Sequence, residues 1–121
     1  MNGNELVVDT NIFINLGTEN LGIDKILQNK KIYLSILSEI EILGYHKISE
    51  SDASFFLSVL SMCNIIDLSQ TIKLKSIEIK RKYNLKTPDA IIAATAIILD
   101  KPLFTFDKGF AKIKELVLFV Q

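Results

Sequence analysis

Thr87-Pro88-Asp89-Ala90-Ile91-Ile92-Ala93-Ala94-Thr95-Ala96-Ile97-Ile98-Leu99 is the stretch on which the fold turns. Thr87 has the hydroxyl of an N-cap, Pro88 carries the fixed φ that suits the first helical position, and Asp89 sets a negative charge against the positive end of the helix dipole. From Ala90 onward the residues are apolar on every face, so the helix they form has no side to show to water. Ala93, Ala94 and Ala96 are small enough to let a sheet approach closely. The stretch reads as a central helix buried against a sheet. Interrupted by Thr95, Ala90 to Leu99 is also far short of the roughly 20 residues that cross a bilayer, and no membrane span is expected.

Working outward, short apolar runs stand where strands would: Leu6-Val7-Val8, Ile32 to Ile36, Ile65-Ile66, Leu103 to Phe106 and Val117 to Val120. Segments with helix-start signals separate them: Asn11 to Leu16, Ser38 to Tyr45, Ser51 to Met62, Ser69 to Tyr83 and Thr87 to Leu99. Strands alternating with helices imply parallel pairing. The expected fold is α/β, a three-layer α/β/α sandwich around a parallel sheet of about five strands, with residues 1–121 forming one domain. Ile72-Lys73-Leu74-Lys75 and Ile77-Glu78-Ile79-Lys80 alternate as a strand would. Their phase slips between Leu74 and Ile77, and a helix is needed there before the next strand, so Ser69 to Tyr83 is read as helix.

Composition narrows the function. The 121 residues include 14 Lys+Arg and 14 Asp+Glu, so net charge alone does not announce a nucleic-acid binder. Five Gly and two Pro leave no glycine-rich loop to cradle a nucleotide phosphate. Cys63 is the only cysteine, which excludes an internal disulfide and a cysteine-based zinc site. Met1 to Asp9 holds no basic residue and only Leu6-Val7-Val8 before an acid, so it lacks both regions of a secretory signal and a cytoplasmic protein is expected. A mean hydropathy of +0.31 is high for a chain of this size and points to a face buried against a partner, a homodimer included.

In open α/β sheets, ligands bind outside the carboxyl ends of the strands. Four acids follow those ends: Asp9 after the first strand, Glu41 in the helix after the second, Asp89 at the start of the central helix, and Asp107 after Leu103-Phe104-Thr105-Phe106. Each has a purely structural reading. Asp9 or Asn11 can cap the first helix, Ser38-x-x-Glu41 is a capping box, Asp89 sits in a first turn, and Asp107 can cap a short Lys108 to Ile113 helix. Gathered on one rim they do something caps alone do not, because like charges about 4 Å apart repel by roughly 4 kcal/mol at an effective dielectric of about 20. Oxygen donors without His or Cys select a hard cation, Mg²⁺ or in its place Mn²⁺. Such ions serve phosphoryl transfer. Setting the four acids aside leaves 10 acidic against 14 basic residues, and Lys73, Lys75, Lys80, Arg81, Lys82 and Lys86 concentrate the surplus where a phosphate backbone can lie, or simply form a solvated helix face.

Four blocks carry a resemblance that covers essentially the whole chain. They are Val8-Asp9-Thr10-Asn11-Ile12-Phe13, Leu37-Ser38-Glu39-Ile40-Glu41-Ile42-Leu43-Gly44-Tyr45, Lys86 to Ala96, and Leu103-Phe104-Thr105-Phe106-Asp107-Lys108-Gly109-Phe110. Together they resemble a PIN-domain ribonuclease, in particular the VapC-like toxins of bacterial type II toxin–antitoxin pairs. The resemblance implies a Mg²⁺-dependent endoribonuclease with an RNA substrate, in which a water activated by the metal attacks the phosphodiester, and a cognate antitoxin as partner. It implies a site built from Asp9, Glu41, Asp89 and Asp107, with direct metal contact mainly from Asp9 and Asp89 and contact through water from Glu41 and Asp107. Thr10, Asn11 and Thr105 then stand behind these acids. Glu41 is preferred to Glu39 because Glu41-Ile42-Leu43-Gly44 matches the family's Glu-Leu-Leu-Gly run, and a helical spacing of two points Glu39 elsewhere.

Other residues have plainer readings. His46 lies near a helix end, Cys63 reads as a small buried hydrophobe, and Phe55, Phe56, Leu57 and Leu60 form a core or dimer stripe. Two other functions remain open on the sequence. A receiver-type phosphoacceptor would use Asp67, although it wants an acidic pair after the first strand where this chain has Asp9-Thr10. A non-catalytic RNA-binding module would keep the acids only as caps.

Overall fold

Leu6, Val7 and Val8 are fully buried, as a strand covered on both faces must be. In the computed structural model, which describes residues 4–16 and 23–119, they belong to β1 (Glu5–Val8). Beside it lie β2 (Lys31–Ser35), β3 (Asn64–Ile66) and β4 (Leu103–Phe104). All pairs are parallel and the order is β3-β2-β1-β4, with Val7 opposite Tyr33 on one side and Leu103 on the other.

Successive side chains of a strand point to opposite faces, and the cores divide accordingly. Val7 and Leu103 join Ile72, Ile79, Ala93, Ala96 and Phe110 in one core. Leu6, Val8 and Phe104 join Ile12, Phe13, Leu34, Ile42 and Leu60 in the other. The first core is covered by α5 (Gln70–Tyr83) and α6 (Thr87–Leu99). The second is covered by α1 (Thr10–Ile14), α2 (Ile23–Leu27), α3 (Ile36–Leu43) and α4 (Glu50–Leu60). The three-layer α/β sandwich is therefore present, and the middle of α6 is buried, with Ala93, Ala94 and Ala96 exposing nothing, but the helix does have a side to water, on which Ile98 is exposed.

Several expectations need correction. Among the described residues the sheet has four strands, and the expected fifth, Val117 to Val120, is reduced there to one parallel bridge between Leu103 and Leu118. β4 is only two residues long, so its outer edge offers little beyond the Leu103 amide and carbonyl, which bond Val117 O and Phe119 N. Val120 lies outside the described residues. The Ser38 capping box is absent: α3 begins earlier, Ser35 caps it by accepting from Leu37 N at 3.1 Å, and Ser38 is wholly buried within the helix. The N-cap of α6 is Lys86 rather than Thr87, which enters the first turn with Pro88. The α2 turn was not expected, and the helix over Lys108–Lys112 is a short 3-10 segment capped by Asp107.

The alternating segment is helical throughout α5. Ser69 caps it by accepting from Ile72 N at 3.2 Å, and Asn84 ends it in the left-handed conformation at φ 52°, which Asn tolerates. Ser69→Ala is expected to lower stability by about 1 kcal/mol, read from denaturant midpoints at unchanged m-value. A midpoint equal to wild type would show that α5 is held by packing alone.

Candidate metal and phosphodiester site

The chain runs from β1 through β2 to β3 on one side of the sheet, then crosses to β4 on the other side of β1. The crevice of an open sheet forms at such a reversal, here between the carboxyl ends of β1 and β4. Asp9 leaves the end of β1 and Thr105 leaves the end of β4. Thr105 Oγ1 donates to Asp9 Oδ2 at 2.7 Å and accepts from Asp107 N at 3.0 Å, which ties the two strand ends together.

Asp9 occupies the N-cap position of α1, yet its side chain makes no capping bond. It is buried, and burial is the main cause of a carboxyl pKa raised above the ordinary 3.8. The Thr105 hydroxyl and the Thr10 amide oppose that rise, while the charges of Asp89 and Asp107 reinforce it. Asp89, in the first turn of α6, is raised likewise, first by burial and then by Asp107, with Lys86 opposing and Glu41 adding. Glu41 is exposed at the surface and accepts from Thr10 Oγ1 at 2.8 Å. Thr10 Oγ1 also lies 2.7 Å from Ser38 Oγ.

Asp9, Thr10, Asn11, Glu41, Pro88 and Asp89 line one pocket of about 200 Å³, closed on its apolar side by Ile14 and Ile92. Glu39 is not among its walls. Asp107 stands at the rim and spends Oδ1 on the Gly109 amide at 2.8 Å, so its cap reading holds, although its charge is felt by both Asp9 and Asp89. Ser38 is the participant that sequence reading placed wrongly. Its signal was present, since Ser38 and Glu41 are one helical turn apart, but a cap and a buried partner use the same spacing.

The pocket suits a hard divalent cation in its chemistry. Its acidic donors are all carboxylates, and two of them are charged only at an energetic cost that an opposite charge would remove. As the side chains stand, no three carboxylate, imidazole or thiol groups among the described residues share one chelation point. The donor set fits, and closure onto an ion requires the exposed carboxylates to turn inward.

The remaining candidates fall elsewhere. Asp67 follows β3, an edge strand that β2 separates from β1. A receiver places its acceptor strand directly beside the first strand, so this order removes that reading. Cys63 donates to Val59 O, and burial pushes its thiol up to about 11, which makes it no nucleophile. His46 is exposed beside Tyr45. Phe56 packs on Phe13, whereas Phe55 and Leu57 are largely exposed, so the expected stripe is part core and part open surface. An apolar pocket of about 380 Å³ between α1, α3 and α4 includes Phe55, Phe56 and Tyr45 and adjoins the acidic one at Glu41. On the basic side, Lys75 is engaged by Glu78 and Glu115, and Lys80 by the Leu85 carbonyl, so part of that charge is already used. No helix among the described residues is long and apolar enough to cross a membrane.

Comparison with known proteins places the fold. A family model described as PIN domain matches residues 6–116. A chain in a toxin–antitoxin complex from Klebsiella pneumoniae is 33% identical at a TM-score of 0.79, over 93% of this chain and 95% of that one. VapBC2 from Rickettsia felis, bound to a DNA fragment from their promoter, contains a chain 22% identical at a TM-score of 0.79, over 95% and 97% of the two chains. VapBC-1 from nontypeable Haemophilus influenzae contains one 21% identical at 0.77, over 95% and 96%. The latter two likenesses concern the fold alone. No match was found among curated proteins. With 111 consecutive positions under the family model and the acids at the strand reversal, this chain belongs to the PIN domain family.

Proposed function

We propose that residues 1–121 form a single Mg²⁺-dependent endoribonuclease domain, cytoplasmic, and the toxin of a toxin–antitoxin pair. PIN domains are generally nucleases, and the likeness to chains of toxin–antitoxin complexes supports the toxin reading. The observation that carries the chemistry is the pairing of Asp9 with Asp89 at the strand reversal, both with raised pKa and neither spent as a side-chain cap.

Asp9 and Asp89 are the residues that would hold Mg²⁺, with Glu41 and Asp107 contacting it through water. A bound Mg²⁺, or Mn²⁺ in its place, would neutralise the scissile phosphate and acidify a water. The chain's own part is orientation. Thr105 holds one oxygen of Asp9, Thr10 holds one oxygen of Glu41, and Ile14 and Ile92 keep one wall of the pocket apolar. Asn11, exposed on α1, lines the same pocket and can bond an RNA phosphate. The open apolar surface around Phe55, Leu57 and Met62 is offered as the face for an antitoxin or a second copy of the chain.

The test is cleavage of single-stranded RNA by purified protein in Mg²⁺, against the same reaction in chelator and against a DNA oligonucleotide of the same sequence. RNA cleavage only with the ion is expected. Binding of RNA without cleavage would favour the non-catalytic module, and loss of the DNA control's resistance would remove RNA specificity. Thr105→Val removes the bond to Asp9 while keeping its shape, and is expected to cost about 10-fold in cleavage, because groups that orient metal ligands are worth 10 to 100-fold. An unchanged rate would mean that Asp9 is held adequately by burial.

A further inference from the structure

We infer that Ser38 is a positioning residue for the site, acting on Glu41 through Thr10. The inference rests on the functional reading above. Its basis is a count of protons. Thr10 Oγ1 lies 2.8 Å from Glu41 Oε1 and 2.7 Å from Ser38 Oγ, and a hydroxyl has one proton to give. An ionised carboxylate only accepts, so the Thr10 proton goes to Glu41. Ser38 must then donate to Thr10, and the three groups form a directed chain from Ser38 O–H to Thr10 O–H to the Glu41 carboxylate.

Burial makes this chain necessary rather than incidental. Ser38 is fully buried and Thr10 is 7% exposed, so water has little access to take over as donor to the Thr10 oxygen. Glu41 is exposed on a long side chain, and the bond from Thr10 is what restrains it among its neighbours. The other half of the site repeats the pattern. The Asp107 amide donates to Thr105 Oγ1, whose proton goes to Asp9 Oδ2. In each case a threonine hydroxyl accepts from a fixed donor and gives its one proton to a carboxylate. Donors so chained polarise one another, which strengthens the final bond. On the Asp9 side the fixed donor is backbone and beyond substitution. On the Glu41 side it is a side chain, so the device can be tested.

Ser38→Ala, Thr10→Val and the double variant are compared with wild type by calorimetric titration of Mn²⁺ in the absence of RNA, by kcat and KM for RNA cleavage, and by melting temperature in chelator. Ser38→Ala is expected to weaken Mn²⁺ binding about 10-fold and lower kcat with KM for RNA unchanged. In the Thr10→Val background the same substitution should add less than about twofold, because the link it acts through is gone. Equal losses in both backgrounds would make Ser38 a packing residue and overturn the inference, as would unchanged Mn²⁺ affinity in Ser38→Ala. If Ser38→Ala does not fold, Ser38→Cys, which fills the space but donates weakly, takes its place with the same outcomes. Wild-type protein that neither binds Mn²⁺ nor cleaves RNA would overturn the functional reading itself, whereas intact wild-type activity with an inert Ser38 overturns only this inference.

Discussion

Asp89→Asn is expected to reduce Mg²⁺-dependent RNA cleavage by on the order of 100-fold or more while the protein stays folded. Removing groups that merely orient metal ligands costs 10 to 100-fold, so removing a charge that on the proposed reading touches the ion directly should cost at least the upper figure. The amide preserves the size and shape of the carboxylate in the first turn of α6. The fold has little to lose, since Lys86 holds the N-cap position and the Asp89 side chain makes no capping bond. What disappears is a negative charge that burial and the Asp107 charge already disfavour. The interaction with the helix dipole is worth only about 0.3 to 1 kcal/mol. Cleavage rates should be paired with melting temperatures in chelator. Activity above about a tenth of wild type in a folded variant would remove Asp89 from the metal site, since that loss is smaller than an orienting group alone can produce. Expression in a bacterial host offers the same contrast, with growth arrest by wild type and normal growth by the variant.

The second large effect is on stability. Asp9 and Asp89 both have folded-state pKa values above the ordinary 3.8, so the native protein binds more protons than the unfolded chain between that value and the raised ones. Stability contributed by these two groups therefore falls as pH rises through the carboxylate range, and the destabilisation is fully present at neutral pH. Glu5, bonded by Tyr33 and Lys101, and Glu78, bonded by Lys75, are shifted downward and act in the opposite sense, losing stability as pH falls. The difference between wild type and Asp89→Asn cancels the two glutamates. In chelator, the variant should be at least as stable as wild type at pH 7, and that advantage should vanish near pH 3. Mg²⁺ at about 100 times its dissociation constant should add about 2.7 kcal/mol at pH 7, or roughly 10 °C in Tm, and much less at pH 4 where protons compete. Asp89→Asn should blunt the response. Equal Tm values for wild type with and without Mg²⁺ at pH 7 would mean that the acids do not act together on an ion.

The legible part of this protein follows from periodicities that are local. Leu6-Val7-Val8 reads as a strand buried on both faces, and Ala90 to Leu99 as a largely buried helix, although the structure leaves Ile98 exposed on it. Even α5, with its misleading alternation, is helical for a reason visible in the chain, the slip of phase between Leu74 and Ile77. The α2 turn was illegible because a five-residue helix is held by what it packs on rather than by any repeat of its own. The fifth strand failed for a related reason, because a strand needs an edge to pair with and β4 ends at Phe104.

By itself, then, the sequence determined the alternation of strands and helices, the parallel sheet between two helical layers, and the acids Asp9, Glu41 and Asp107 that come after strands, since side-chain period and chain order are enough for each. Asp89 follows α5 rather than a strand, and only the fold brings it to the same rim. Only the tertiary structure decided how those acids are used. The order β3-β2-β1-β4 comes from pairing between distant segments, and it put Asp9 beside the end of β4 and left Asp67 behind an edge strand. Asp107 became a cap and Asp9 did not, although both follow strands and precede helices, because the Thr105 hydroxyl reached one oxygen of Asp9 from 96 residues away. Ser38 left the helix end for the interior because Ser35 captured the N-cap of α3 and Thr10, 28 residues distant, faced it from α1. A hydroxyl or carboxylate will bond whichever donor or acceptor is nearest, and at these positions the nearest partner lies far along the chain, where no local pattern can register it.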